Sequence, residues 1–236
     1  APSYNTAKLL EEKLEKRVNV IESPFYIDTY KIDDSIYNCY LSNKGYFLFF
    51  GTLGYLKGVH VIAEILNKFF VNHPEDFFVF IGNNSKMIYQ DQEVDAIDYI
   101  YCSVESQYHS NILYFPAMNN KEQLYSFIKH AKACVLPYRF DNLPNTCIES
   151  MALGQIVIGT NGASFEQLIV DGYNGYLIDR ENKEQLYQKI ELVLGLSEQE
   201  KNEIGERAIE SISRLEPDKI YDQVFEFYKV AIGQKK

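Results

Sequence analysis

Six short apolar runs that do not alternate with polar residues constrain this chain more than any other feature. They are "YFLFFG" (Tyr46 to Gly51), "FFVFIG" (Phe77 to Gly82), "NILYFP" (Asn111 to Pro116), "ACVLPY" (Ala133 to Tyr138), "QIVIGT" (Gln155 to Thr160) and the shorter "GYLID" (Gly175 to Asp179). A strand with one wet face alternates, whereas a strand apolar on both faces belongs to a parallel sheet covered on both sides by helices. Helical spacing fills the gaps. It is carried by Val59, Ile62, Ile65, Leu66, Phe69 and Phe70 before Pro74, by Leu124, Phe127, Ile128 and Ala131, and by Leu186, Ile190, Val193 and Leu194. "SEQE" at Ser197 opens a further helix toward Leu215, with a Ser N-cap and Glu at the third helical position. Pro217 to Ala231 is a last helical pattern, rich in Tyr and Phe. This alternation predicts a doubly wound α/β sheet with right-handed crossovers. Ligands bind such sheets beyond the carboxyl ends of the strands, so the loops after Gly51, Gly82, Pro116, Tyr138 and Thr160 are expected to line one site.

The ends read differently. Asn5 to Lys16 is a charged helical pattern, and "VNVIES" (Val18 to Ser23) reads as a short strand. Pro24 to Lys44 is polar and Tyr-rich with no period, as in a linker. The formal net charge of -10 argues against nucleic acid and against a basic membrane-docking face. No apolar run is long enough to span a membrane, and no signal peptide is visible. The chain opens at Ala1, so either a leader has been removed or this is part of a longer protein. Cys39, Cys102, Cys134 and Cys147 form no C-x-x-C pair and read as structural thiols of a reducing compartment. His60, His73, His109 and His130 lack zinc-ligand spacing, so no metal site is expected.

Three segments can carry chemistry. In "FFGTLGYLKG" (Phe49 to Gly58), a strand ends at Gly51 and Lys57-Gly58 opens a helix. Exposed N–H groups at a helix start favour an anion, and Lys57 adds a full charge. The alternative is a tight turn with a solvated lysine. In "LPYRFDNLPNTCIESMALGQIVIGT" (Leu136 to Thr160), a polar loop carries Asp141 and Asn142, and a helix is predicted from near Pro144 to Leu153. Glu149 stands on that helix among Cys147, Ile148, Met151 and Ala152. A buried carboxylate needs hydrogen-bond donors, and two adjacent ribose hydroxyls would supply them. A partly exposed helix Glu is the other reading. In "NGASFEQLIVDGYNGYLID" (Asn161 to Asp179), Gly162 to Ser164 is a candidate helix start with Glu166 one turn in, and "DGYNG" reads as a structural turn.

Taken in order, these pieces resemble the donor-binding domain of glycosyltransferase family 4. The pieces are G-x(5)-K-G after the first strand, an acid-x(7)-Glu segment, and "ESMALGQIVIGTNGASFEQLIVDGYNGYLI". The resemblance runs from about Tyr46 to Leu194 and implies a Rossmann-like doubly wound parallel sheet, one half of a GT-B fold. It implies boundaries at 1–44 (the end of a preceding acceptor domain plus linker), 45–215 (the donor-binding domain) and 216–236 (a helix crossing back). The ribose then falls to Glu149, and the transferred sugar to Asp141, where the family usually has Glu. The diphosphate falls to Gly51, Thr52, Lys57, Asn142, Leu143, Asn145 and Thr146, and the base to Pro116, Ala117 and Met118. Thr52 stands where the family usually has Arg, which removes one positive charge, and Arg139 is a candidate substitute.

The resemblance implies transfer of a sugar, with retained anomeric configuration, from a nucleotide diphosphate, with UDP the expected nucleotide. Lys57 and Asp141 would be the catalytic residues, with no cofactor and no required metal. The acceptor, a glycan or a lipid-linked one, would be held by an amino-terminal domain absent from this chain, so the fragment alone is expected to be inactive. A cytoplasmic setting, peripheral to the inner membrane face, and a role in polysaccharide or glycoconjugate synthesis follow from the family only. A noncatalytic nucleotide-binding module and another GT-B enzyme, such as a sugar-nucleotide epimerase, stay open.

Overall fold

The computed structural model describes residues 1–26 and 31–233. Its elements in chain order are α1 (Tyr4–Leu14), α2 (Ser35–Leu41), β1 (Tyr46–Phe50), α3 (Val59–Asn72), β2 (Phe77–Ile81), β3 (Lys86–Tyr89), β4 (Gln92–Asp95), α4 (Ala96–Ser103), β5 (Ile112–Phe115), α5 (Lys121–His130), β6 (Ala133–Leu136), α6 (Asn145–Ala152), β7 (Val157–Thr160), β8 (Tyr176–Ile178), α7 (Lys183–Gly195), α8 (Glu198–Ile212) and α9 (Pro217–Gly233). All six apolar runs become strands of one sheet, ordered β5-β2-β1-β6-β7-β8 and parallel throughout. Counted along the sheet this is third, second, first, fourth, fifth, sixth. The order therefore reverses between β1 and β6, and a crevice opens at their carboxyl ends.

The absence of alternation has the expected cause. Every residue of β1 is buried, because helices cover the sheet. Helix α3 packs beside α4 and α7, while α2 meets α5 and α6 meets α8. Phe47, Phe49, Phe78 and Phe80 are fully buried side by side on β1 and β2, each contributing about 1.5–3 kcal/mol relative to exposure. The stripe read for α3 is buried at Val59, Ile62, Ile65, Leu66, Phe69 and Phe70. At α8, Ser197 and Glu200 form the expected capping box.

Three readings need correction. Val18 to Ser23 is not a strand: the backbone N–H of Ile21 reaches the carbonyl of Ala1, nearby Phe25 N–H reaches that of Leu215, and no ladder forms. A β-branched run alone does not make a strand without an edge to join. The stretch called aperiodic contains α2, whose Tyr37 stacks on His130 at 4.2 Å and whose Leu41 is fully buried; residues 27–30 of that stretch lie outside the described residues. After Ser164 there is a single 3₁₀ turn, Phe165–Gln167, and no longer helix. The β3–β4 hairpin was not foreseen from the sequence. It turns on Gln90 and Asp91, both at positive φ, where the usual turn signal is Asn-Gly or Asp-Gly.

Candidate functional site

Two glycines set the floor of the crevice. At Gly82 (φ +152°) an added Cβ would lie 1.6 Å from the carbonyl oxygen of Gly51, so the ends of β1 and β2 meet backbone to backbone. At Gly58 (φ +71°) a Cβ would lie 1.8 Å from the carbonyl oxygen of Pro137, so the start of α3 sits against the end of β6. Above this floor is a cleft of about 200 Å³. Gly51, Thr52 and Thr146 line it together with the apolar Ala117, Met118 and Leu124. Lys121 and Glu149 are the charged side chains of the lining. Of the three residues assigned to the base, Pro116 is exposed and is not part of the lining.

Glu149 occupies the second turn of α6 and is only 7% exposed, as its apolar neighbours require. Its Oε1 accepts a hydrogen bond from Lys121 Nζ at 2.5 Å. The amino-terminal turn of α6 is fixed by Tyr138. Its hydroxyl donates to the carbonyl of Phe50 at 3.1 Å and lies 2.9 Å from Thr146 Oγ1. Burial pushes the Tyr138 phenol far above its ordinary range, so it stays a donor. Helix α6 thus presents its start, with Thr146 on the cleft, where an anion is favoured. Leu143 is buried in the core, while Asn142 and Asn145 are exposed.

Lys57 and Asp141 form an ion pair beside the cleft, outside its lining. Lys57 Nζ stands 4.1 Å from the centroid of the Tyr138 ring, which joins the pair to the cleft. The carbonyl of Asp141 accepts from Ser164 Oγ at 3.1 Å. Arg139 does not approach Asp141. Its guanidinium bonds Glu181 and the Tyr55 hydroxyl and lies over the Tyr55 ring, so it offers no replacement charge in this arrangement. His60, buried next to Tyr55, places Nε2 3.2 Å from Glu181, and burial lowers its pKa below 6.5.

The first turn of α1 also reaches this region. Thr6 Oγ1 donates to Asn142 Oδ1 at 3.2 Å, and Asn5 Nδ2 donates to Glu166 Oε1 at 2.8 Å. Sequence reasoning missed these contacts, and it missed Lys121. A lysine in the first turn of a helix opposes the helix dipole, and that misfit was the available signal. Among the described residues, one group of side chains is close enough to share a cation: His73, Glu75 and Asp76, at the opposite end of β2. Lys132 already holds both oxygens of Asp76, at 2.6 and 2.7 Å. All four cysteines are free; Cys134 and Cys147 are buried, and burial raises the Cys134 thiol to about 12.

The arrangement brings a helix start, a buried carboxylate and the apolar side chains of Ala117 and Met118 around one cleft. The sequence profile of the family described as "Glycosyl transferases group 1" matches residues 41–211. Spore coat protein SA of Bacillus subtilis (strain 168) is 28% identical over 160 residues, which is 67% of this chain and 41% of that protein. The matched stretch therefore covers less than half the length of that relative. Anabaena HepE, solved in complex with UDP, superposes with a TM-score of 0.80 at 17% identity, over 98% of this chain and 63% of that one. Sucrose-phosphate synthase from Thermosynechococcus elongatus gives a TM-score of 0.78 at 16% identity, over 99% of this chain and 58% of that one. No helix among the described residues is long and apolar enough to cross a membrane.

Proposed function

The chain belongs to the glycosyl transferases group 1 family, and from that premise we propose that it is the donor-binding half of a retaining family 4 hexosyltransferase. The observation that carries this reading is one cleft beyond the carboxyl ends of β1 and β2, lined by the buried Glu149 and by Thr146 at the start of α6. The ribose diol binds Glu149, the base lies on Ala117 and Met118, and the diphosphate lies at Gly51, Thr52 and the amides at the start of α6. UDP is the nucleotide, a reading favoured by the UDP complex of Anabaena HepE on the same fold.

In the transfer step the sugar–phosphate bond breaks and negative charge grows on the departing diphosphate. Stabilising that charge where it develops lowers the barrier. Lys57 and the α6 amides supply the positive field, so the step calls for no metal. Lys57 is paired with Asp141. With donor present, Lys57 turns to the phosphate and Asp141 to the sugar hydroxyls, so one ion pair serves two ligand groups. The acceptor, a glycan or a lipid-linked one, belongs to an amino-terminal half. Helix α1 is its last helix, and the exposed Phe225, Tyr228 and Ile232 of α9 face it. A role in polysaccharide synthesis at the inner face of the membrane completes the proposal.

Proton NMR of the product formed from a UDP-sugar by a chain carrying both halves tests this function. The expected product keeps the anomeric configuration of the donor. An inverted product would overturn the assignment.

A further inference from the structure

Lys121 lies in the cleft without a part in the chemistry above. It is the first residue of α5, where a cation is disfavoured by the helix dipole, so helix stability does not account for it. Its side chain is 55% exposed, yet its Nζ is drawn down to Glu149 Oε1 at 2.5 Å. It thus joins the buried Glu149 carboxylate to the start of α5 in a cleft that Ala117, Met118 and Leu124 also line. In the nucleotide-binding reading above, the diol lies on Glu149 and the base on Ala117 and Met118, so Lys121 shares the cleft with both. An ammonium carries three donors and no acceptor, and Glu149 takes one of them.

We propose that Lys121 determines which base is accepted: it holds Glu149 in place and, when nucleotide binds, donates to a base carbonyl adjacent to the glycosidic bond. Pyrimidines carry a carbonyl oxygen at that position. Purines present a C–H on one side and a ring nitrogen set further back on the other. The inference rests on the nucleotide-binding reading and names the specificity of that same cleft.

Calorimetric titration of the chain and of its Lys121→Ala and Lys121→Arg variants with UDP, CDP, GDP and ADP tests it. The chain is expected to prefer UDP and CDP. Lys121→Ala is expected to lose about tenfold or more of that preference, as a charge-assisted hydrogen bond implies, with UDP and CDP weakened more than GDP and ADP. Lys121→Arg, which keeps the cation, is expected to recover part of it, and it carries the test if the alanine variant does not fold. Equal weakening of all four nucleotides by Lys121→Ala would show that Lys121 acts only through Glu149 and would overturn the inference. An unchanged preference, or a preference for purines in the parent chain, would also overturn it. Silence of the parent chain with all four would instead overturn the donor-domain reading on which it depends.

Discussion

Replacing Glu149 with alanine should separate binding from folding. Among the described residues the carboxylate has one hydrogen-bond partner, Lys121, whose side chain is more than half exposed. Solvent screening makes such a pair worth little, and alanine is a better helix former than glutamate. The variant should therefore unfold within about 1 kcal/mol of the parent. Binding is another matter. A diol on this carboxylate makes two charge-assisted hydrogen bonds, each worth about 1.5 kcal/mol or more. Their loss amounts to about 3 kcal/mol, which is roughly a hundredfold in Kd for UDP. Isothermal titration reads the affinity and thermal unfolding without ligand reads the fold. UDP bound by the variant within about threefold of the parent would refute the reasoning, because Glu149 would then not touch the ribose.

Further outcomes follow from the same geometry. Tyr138→Phe removes the hydroxyl shared by the Phe50 carbonyl and Thr146, and should cost about 1–3 kcal/mol in denaturant unfolding while loosening UDP binding. Asp141→Asn should leave UDP affinity within about threefold, while sharply lowering sugar transfer by a chain carrying both halves, read as product formed per unit time. Stability should fall with acid through His60. Burial sets its folded pKa below the unfolded 6.5, so its contribution is complete above that pH and is lost as pH drops through 6.5 toward the folded value. Unfolding midpoints of the parent and of His60→Asn, compared between about pH 7.5 and 5.5, should converge toward the acid end.

The sheet was legible because its signal is local and repeated. Tyr46 to Phe50 and Phe77 to Ile81 show both-faced burial in their composition, which pointed to a parallel sheet; the strand order was not read from the sequence. Glu149 was legible for a related reason: a carboxylate surrounded by Cys147, Ile148 and Met151 must find donors somewhere. What escaped is set by contacts distant in sequence. Val18 to Ser23 has strand composition but no edge to join. Helix α2 becomes periodic only once Tyr37 and Leu41 are seen against α5. Lys121 is separated from Glu149 by 28 positions, and no spacing rule connects them. Arg139 lies two residues from Asp141 in the chain but pairs with Glu181, in the turn before α7, 42 positions away.

The account stands on the cleft holding a nucleotide, and titration of this chain with UDP, GDP and ADP measures that directly. One UDP should bind per chain, more tightly than GDP or ADP, and should raise the unfolding temperature. Silence with all three nucleotides would contradict the account.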